Sequence, residues 1–190
     1  MENPSFKDEI ETRLANLPIL ASVAFAARAA RRVAPLYAHH SAAEAGNIEL
    51  LSKAVSIAEK MAAGEKIDFD TASGSARAVA GAARAVDEAA AHSARAAAGA
   101  AGAGAIAAGG RPESETHAAR AAANSARDAD RAADDETCRA AMRQDLDLLS
   151  KCQEENSDGP ASLLARPLWP AGEPAWFSKK PTDNTGTTEA

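Results

Sequence analysis

Between Ala72 and Ala133 alanine recurs every three or four residues, and that recurrence decides most of what this chain can fold into. Alanine has the best helix propensity because its side chain has no rotamer freedom to lose on ordering. About a quarter of the chain is alanine, and β-branched residues are sparse after Asp70. The expected class is all-α: a bundle of about five helices, with a long Ala-rich antiparallel hairpin and a Pro/Trp-rich C-terminal arm. The same feature limits the core. Apolar residues make up 46% of the chain but aromatics only 4%. Burial is worth roughly 25 cal/mol per Å², so an Ala-faced helix gains little per contact. It compensates only by letting backbones approach closely. The bulkier first third is expected to carry the stability.

The stretch from Leu17 to His40 is the segment around which the other helices are predicted to pack. A short first helix precedes it, opened by Ser5 with Asp8 and Glu9 in its first turn and striped by Phe6, Ile10, Leu14 and Leu17. The second helix starts near Pro18 and is apolar on nearly every side through Ala27, the pattern of a buried helix. Pro35 cannot donate to the carbonyl of Arg31, which predicts a kink or break there. Asn47 is the expected N-cap of a third helix, with a stripe from Leu50 to Ala62 and Gly64 as its stop. A fourth helix is expected from Thr71 or Ser73 past His92, weakening through the glycines after Gly99. Ser114 opens a fifth, which runs to Leu149 or bends between Asp134 and Thr137. Its alanines at 119, 122, 126, 129 and 133 form a seam suited to the fourth helix. The predicted organisation is a helical domain over 1–155, an arm over 156–178 that packs on the bundle or on a partner, and a disordered tail over 179–190.

The net charge of −6 argues against a broad polyanion-binding surface, so nucleic acid is not an expected partner. Cys138 and Cys152 suit two free thiols in a reducing compartment better than a disulfide framework. The N-terminus lacks the basic start and apolar run of a signal peptide, and no stretch has the length and bulk of a membrane span. A soluble cytoplasmic protein with no membrane partner is expected.

Chemistry-bearing patterns are few. Gly102-Ala-Gly104-Ala-Ile-Ala107 fits a dinucleotide-loop spacing, but that loop needs a preceding strand, and here an alanine helix precedes it. A close-packing helix end is the better reading, and no cofactor is expected. His40 and Glu44 stand at i, i+4, too few for a metal site, and no Cys/His cluster accompanies them. The acids between Asp128 and Glu136 alternate with Arg127 and Arg131 at pairing distance along a helix, which reads as a solvated face. No serine, cysteine or threonine sits in a nucleophile context, so no catalytic residue is assigned.

Two features remain as candidates for binding. Arg28, Arg31 and Arg32 share one side of an otherwise buried helix. Unpaired buried charge is costly, so that end emerges into solvent, or acids from another helix meet it, or an acidic ligand or partner does. Trp169, Trp176 and Phe177 lie in the arm. Either the arm wraps back over the alanine helices, or its aromatics anchor a partner, where Trp is enriched.

The phrases AFAARAARRVAPLY (24–37) and AVSIAEKMAAGE (54–65) resemble the Ala-rich helical family of immunity proteins of bacterial toxin systems, over about residues 17–133. The resemblance implies a helical bundle that binds and neutralises or scaffolds a protein partner in a bacterial toxin or defence system, without catalysis. The alternatives are an enzyme or small-ligand binder with its site at the Arg28/Arg31/Arg32 face, or a structural bundle that self-associates through the alanine seam into a homo-oligomer.

Overall fold

The computed structural model describes residues 5–40, 43–84, 86–111 and 113–177. These residues form helices and connections without strands: α1 (Phe6–Leu14), α2 (Ile19–Ala38), α3 (Ala45–Ala62), α4 (Phe69–Ala82), α5 (Glu88–Gly109), α6 (Ser114–Ala133), α7 (Glu136–Glu154) and α8 (Gly159–Leu164). The all-α bundle therefore stands, but with eight helices described instead of about five. None is long and apolar enough to cross a membrane.

The expected fourth helix is two, and the fifth takes the second of its two alternatives, dividing near Asp134. In the segment from Phe69 to Gly109, α4 ends at Ala82 and α5 starts at Glu88, where Asp87 caps a new helix, its carboxylate accepting from the Ala90 amide. An aspartate that satisfies an orphan amide competes well with helix continuation where the flanking alanines add little tertiary packing. The segment from Ser114 to Glu154 breaks at Asp134, which adopts a left-handed φ of 42°, and Asp135 then caps α7 by accepting from Thr137. The glycines after Gly99 do not end α5, which runs on to Gly109 and stops at Gly110 with φ 57°. α3 begins at Ala45 with Glu44 at its cap position, so Asn47 is not the N-cap; it lies inside the first turn. α2 continues through Pro35 to Ala38.

α2 is the centre. Every residue from Ala21 to Ala30 is buried, and α3, α5, α6, α7 and α8 all pack on it. The bulky core is Ile10, Leu14, Val23, Phe25, Val33, Tyr37, Met142, Leu146, Leu149 and Leu163. Around it lies an alanine layer in which backbones nearly touch. A Cβ on Gly99 would stand 3.1 Å from Ser125 Cβ and 3.3 Å from Ser125 Cα, so only glycine lets α5 reach α6 there. Ser125 Oγ donates to the Ala96 carbonyl at 2.8 Å across the same seam, and Ser93 Oγ donates to the Val33 carbonyl at 2.6 Å. Ala119, Ala122, Ala126 and Ala129 are buried inside the chain.

α1 is held from outside by charge as well as by Ile10 and Leu14. Arg143 pairs with Glu9 at 3.1 Å, Arg13 with Asp147 at 2.6 Å and Arg120 with Glu11 at 3.1 Å, tying α1 to α6 and α7. Exposed pairs of this kind are worth about 0–1 kcal/mol each, so the two buried apolar residues dominate. The arm is described as far as Phe177; the tail over 179–190 lies outside the described residues.

Candidate functional site

The arm sits on the charged end of α2. Arg28 is 3% and Arg32 0% exposed, although each carries a guanidinium. One acid, Asp145 of α7, meets both: Arg28 Nε donates to Asp145 Oδ2 at 3.1 Å, and Arg32 Nη1 lies 2.7 Å from the same oxygen. Of the three options left open by the sequence, an acid from another helix is the one the structure contains.

One carboxylate cannot satisfy two guanidiniums, and the arm supplies the remaining acceptors. Arg28 donates through Nη1 to the Arg166 carbonyl at 2.9 Å and through Nη2 to the Pro167 carbonyl at 2.8 Å. Arg32 Nε donates to the Leu168 carbonyl at 3.1 Å, and its guanidinium carbon lies 5.6 Å from the Trp169 ring centroid, a cation–π distance. Three consecutive carbonyls are accessible because Pro167 and Pro170 keep this stretch out of a helix, where those carbonyls would be occupied. The fit is incomplete. The Arg32 Nη1 contact is off the line of a good hydrogen bond, and Nη2 has no acceptor among the described residues. Burial pulls the pKa of Arg28 below its ordinary value, and the Asp145 charge opposes that shift.

The aromatics continue the seat. Trp169 is 6% exposed, and its ring meets Trp176 and Phe177 edge-on with centroids 5.7 and 5.4 Å apart. Trp176 Nε1 donates to Asp135 Oδ2 at 2.9 Å, fixing the arm to the start of α7. That bond holds the Asp135 carboxyl below the usual carboxylate range, with the Thr137 amide adding to it. The arm therefore wraps over the bundle.

Beside this seat lies a groove of about 420 Å³ between the end of α2, the start of α3 and the arm. Its walls are Ala34, Pro35, Tyr37, Ile48, Leu51, Leu168 and Phe177, with Arg31, His39 and Ser52 as polar lining. Arg31 diverges from its two neighbours: its side chain is 58% exposed and, among the described residues, paired with Glu59 of α3. The Tyr37 hydroxyl is buried under the groove without a well-aligned hydrogen bond, and burial raises its pKa while nearby Asn47 opposes the shift. Of the six candidates read from the sequence, Arg31 and Phe177 line the groove. Arg28, Arg32 and Trp169 form the seat of the arm, and Trp176 clamps the arm to Asp135.

The other patterns resolve into structure. Gly102 and Gly104 lie inside α5, and a Cβ on Gly104 would meet Met61 Sδ at 2.9 Å, so this glycine serves helix packing. His40 pairs with Asp87 at 2.7 Å rather than standing with Glu44. Asp128 is buried against His92, and Asp130 pairs with Arg139, so the acids of this segment are partly interior rather than one solvated face. Cys138 and Cys152 are free and buried. No group of three or more metal-ligating side chains occurs among the described residues. Comparison with family models, with curated proteins and with solved structures yields no match to this chain.

Asp145 was not singled out from sequence. A signal for it exists, since it lies one helical turn from Met142 and Leu149, beside the apolar stripe of α7, where an acid implies a cationic partner in the core.

Proposed function

We propose that this chain is a non-catalytic protein-binding module that takes an apolar side chain of a partner protein into the groove between α2, α3 and the arm. The observation that carries the reading is the groove itself: an apolar floor on rigid helices with one exposed guanidinium at its edge. Apolar concavities with a few polar groups are the usual form of a docking pocket. Arg31 suits a partner with an acidic residue next to its apolar anchor, because a guanidinium offers paired donors to a carboxylate. The resemblance to bacterial immunity proteins adds the context, a toxin neutralised in the cytoplasm. Ala119, Ala122, Ala126 and Ala129 of the seam pack within the chain, which favours this reading over self-association through them.

The test is co-expression with each protein encoded by the genes flanking this one, toxins included, using wild type and Ser52→Trp. Ser52 is an exposed lining residue, so the indole fills the groove without entering the core. Wild type forms a stoichiometric complex and restores growth, and the variant loses both. A variant that protects as well as wild type refutes the groove. A wild-type protein that neither binds nor protects refutes the toxin context.

A further inference from the structure

At the outer edge of the α5–α6 seam, an imidazole and one guanidinium meet a single carboxylate, and a second guanidinium meets the imidazole. The close approach at Gly99 and Ser125 brings the helices together there. One turn from Gly99 stands Arg95, with His92 a further turn back. One turn from Ser125 stand Arg127 and Asp128. His92 and Asp128 are buried, Arg127 is half-buried and Arg95 is exposed. His92 Nδ1 lies 3.2 Å from Asp128 Oδ1, and Arg95 Nη1 lies 3.4 Å from His92 Nδ1. Arg127 Nη2 lies 3.3 and 3.4 Å from the two Asp128 oxygens.

There are too few acceptors for these donors. A ring nitrogen of neutral histidine either donates or accepts, never both. A carboxylate is the stronger acceptor, so Nδ1 carries its proton toward Asp128. Arg95 Nη1 then faces an N–H instead of a lone pair. With the proton on the other nitrogen, Nδ1 accepts from Arg95, and the buried Asp128 faces a lone pair. The first tautomer leaves Arg95 facing an N–H, and the second leaves Asp128 to Arg127 alone. Arg127 adds to the deficit: its Nε is buried with no acceptor among the described residues, and its Nη2 contacts exceed the usual N–H···O range. Glu88, one turn before His92, is exposed and forms no ion pair among the described residues. The cluster carries two permanent positive charges against one buried negative one.

We propose that Arg95 and Arg127 bind a small oxyanion of the phosphate class at this edge, with the His92–Asp128 pair as its floor. A tetrahedral oxyanion offers acceptors on several sides to the exposed Arg95 guanidinium and to the Arg127 side chain, which is 38% exposed. Asp128 does not repel it strongly, because it is buried and already engaged by His92 and Arg127. The net charge of −6 works against a nucleic acid strand but leaves a small anion free to use a local cationic pair. The site is independent of the groove and stands whether or not a protein docks there.

The experiment titrates the full-length protein with inorganic phosphate and, separately, with a phosphate monoester. Chloride at matched ionic strength is the control, and the His92 ring and Arg127 Nε–H resonances are followed by NMR. Arg95→Gln and Arg127→Gln remove one charge each from partly exposed side chains, and Arg77→Gln removes one on the exposed side of α4. Phosphate is expected to saturate both signals, with chloride silent. The two site variants are expected to weaken binding by about tenfold or more, the loss of one charge-assisted hydrogen bond, and Arg77→Gln to leave it unchanged. Saturation by the monoester at lower concentration assigns the site to a phosphorylated metabolite, and equal affinity assigns it to the free ion. Equal responses to phosphate and chloride overturn the proposal with no variant needed. So does an Arg77→Gln effect as large as that of Arg95→Gln, because the signal is then general screening.

Discussion

Replacing Asp145 with asparagine is the sharpest perturbation of the arm's seat. The exchange keeps shape and one acceptor oxygen but removes the negative charge that contacts both Arg28 and Arg32. All three side chains are no more than 4% exposed, and the carboxylate lies 3.1 and 2.7 Å from the two guanidiniums. Breaking a buried pair from one side costs about 3–5 kcal/mol, because the remaining charge stays buried without compensation. Asparagine still accepts from Arg28 Nε, which sets the expectation near the lower end, about 3 kcal/mol. Urea unfolding followed by circular dichroism reads the helices. Tryptophan emission reads the arm, because both tryptophans lie there. Both transitions are expected to move to lower urea, with the emission change leading. A loss below about 1 kcal/mol, the value of an exposed pair, refutes the buried triad.

Four further outcomes follow from particular contacts. Gly99→Val is expected to destabilise by about 1–3 kcal/mol or more, since the added atoms meet the Ser125 backbone. Gly102→Ala, in the same helix with nothing within 4 Å of the new Cβ, is expected to stabilise by about 0.5–1 kcal/mol in chemical denaturation. Burial pushes the Cys138 thiol up to about 12, so it stays protonated at pH 8 and is expected to resist a thiol reagent until the protein unfolds; labelling at a free-thiol rate under native conditions contradicts this. Trp176→Phe removes the indole bond that depresses the Asp135 pKa. A depressed carboxyl stabilises above its unfolded pKa and loses that contribution as pH falls through its folded pKa. The variant is therefore expected to cost about 1 kcal/mol at neutral pH. The gap to wild type should close as pH falls below the ordinary carboxylate range, and a gap independent of pH down to there counts against the bond.

Local signals in the sequence matched the structure where one residue type decides the outcome. Ser5 accepts from the Asp8 amide at the start of α1, and Gly64, with φ 88°, follows the last turn of α3. The stripe from Leu50 to Ala62 faces the core as its spacing requires, with Leu50 at its half-buried margin. Failures cluster where alanine dominates, because an alanine run is equally helical whether continuous or broken. The start of α5 at Glu88 turns on one aspartate cap. The groove and the seat were half legible. A run of arginines on an apolar helix announces buried charge, but the residue that answers it, Asp145, is 117 positions away. No spacing rule connects the two. His92 illustrates the same limit: its partner Asp128 looked like one of several surface acids, and only the packing of α5 on α6 buries it.

The claim on which the rest depends is that the arm is part of the folded body, held to α2 through Arg28 and Arg32, and so forms one wall of the groove. Trp176→Phe leaves Trp169 as the sole tryptophan, which makes acrylamide quenching of its emission a direct measure of that seat. Trp169 at 6% exposure predicts blue-shifted emission with strong protection, lost when Asp145→Asn is added. Emission and quenching equal to those of free indole in the native protein would contradict the account.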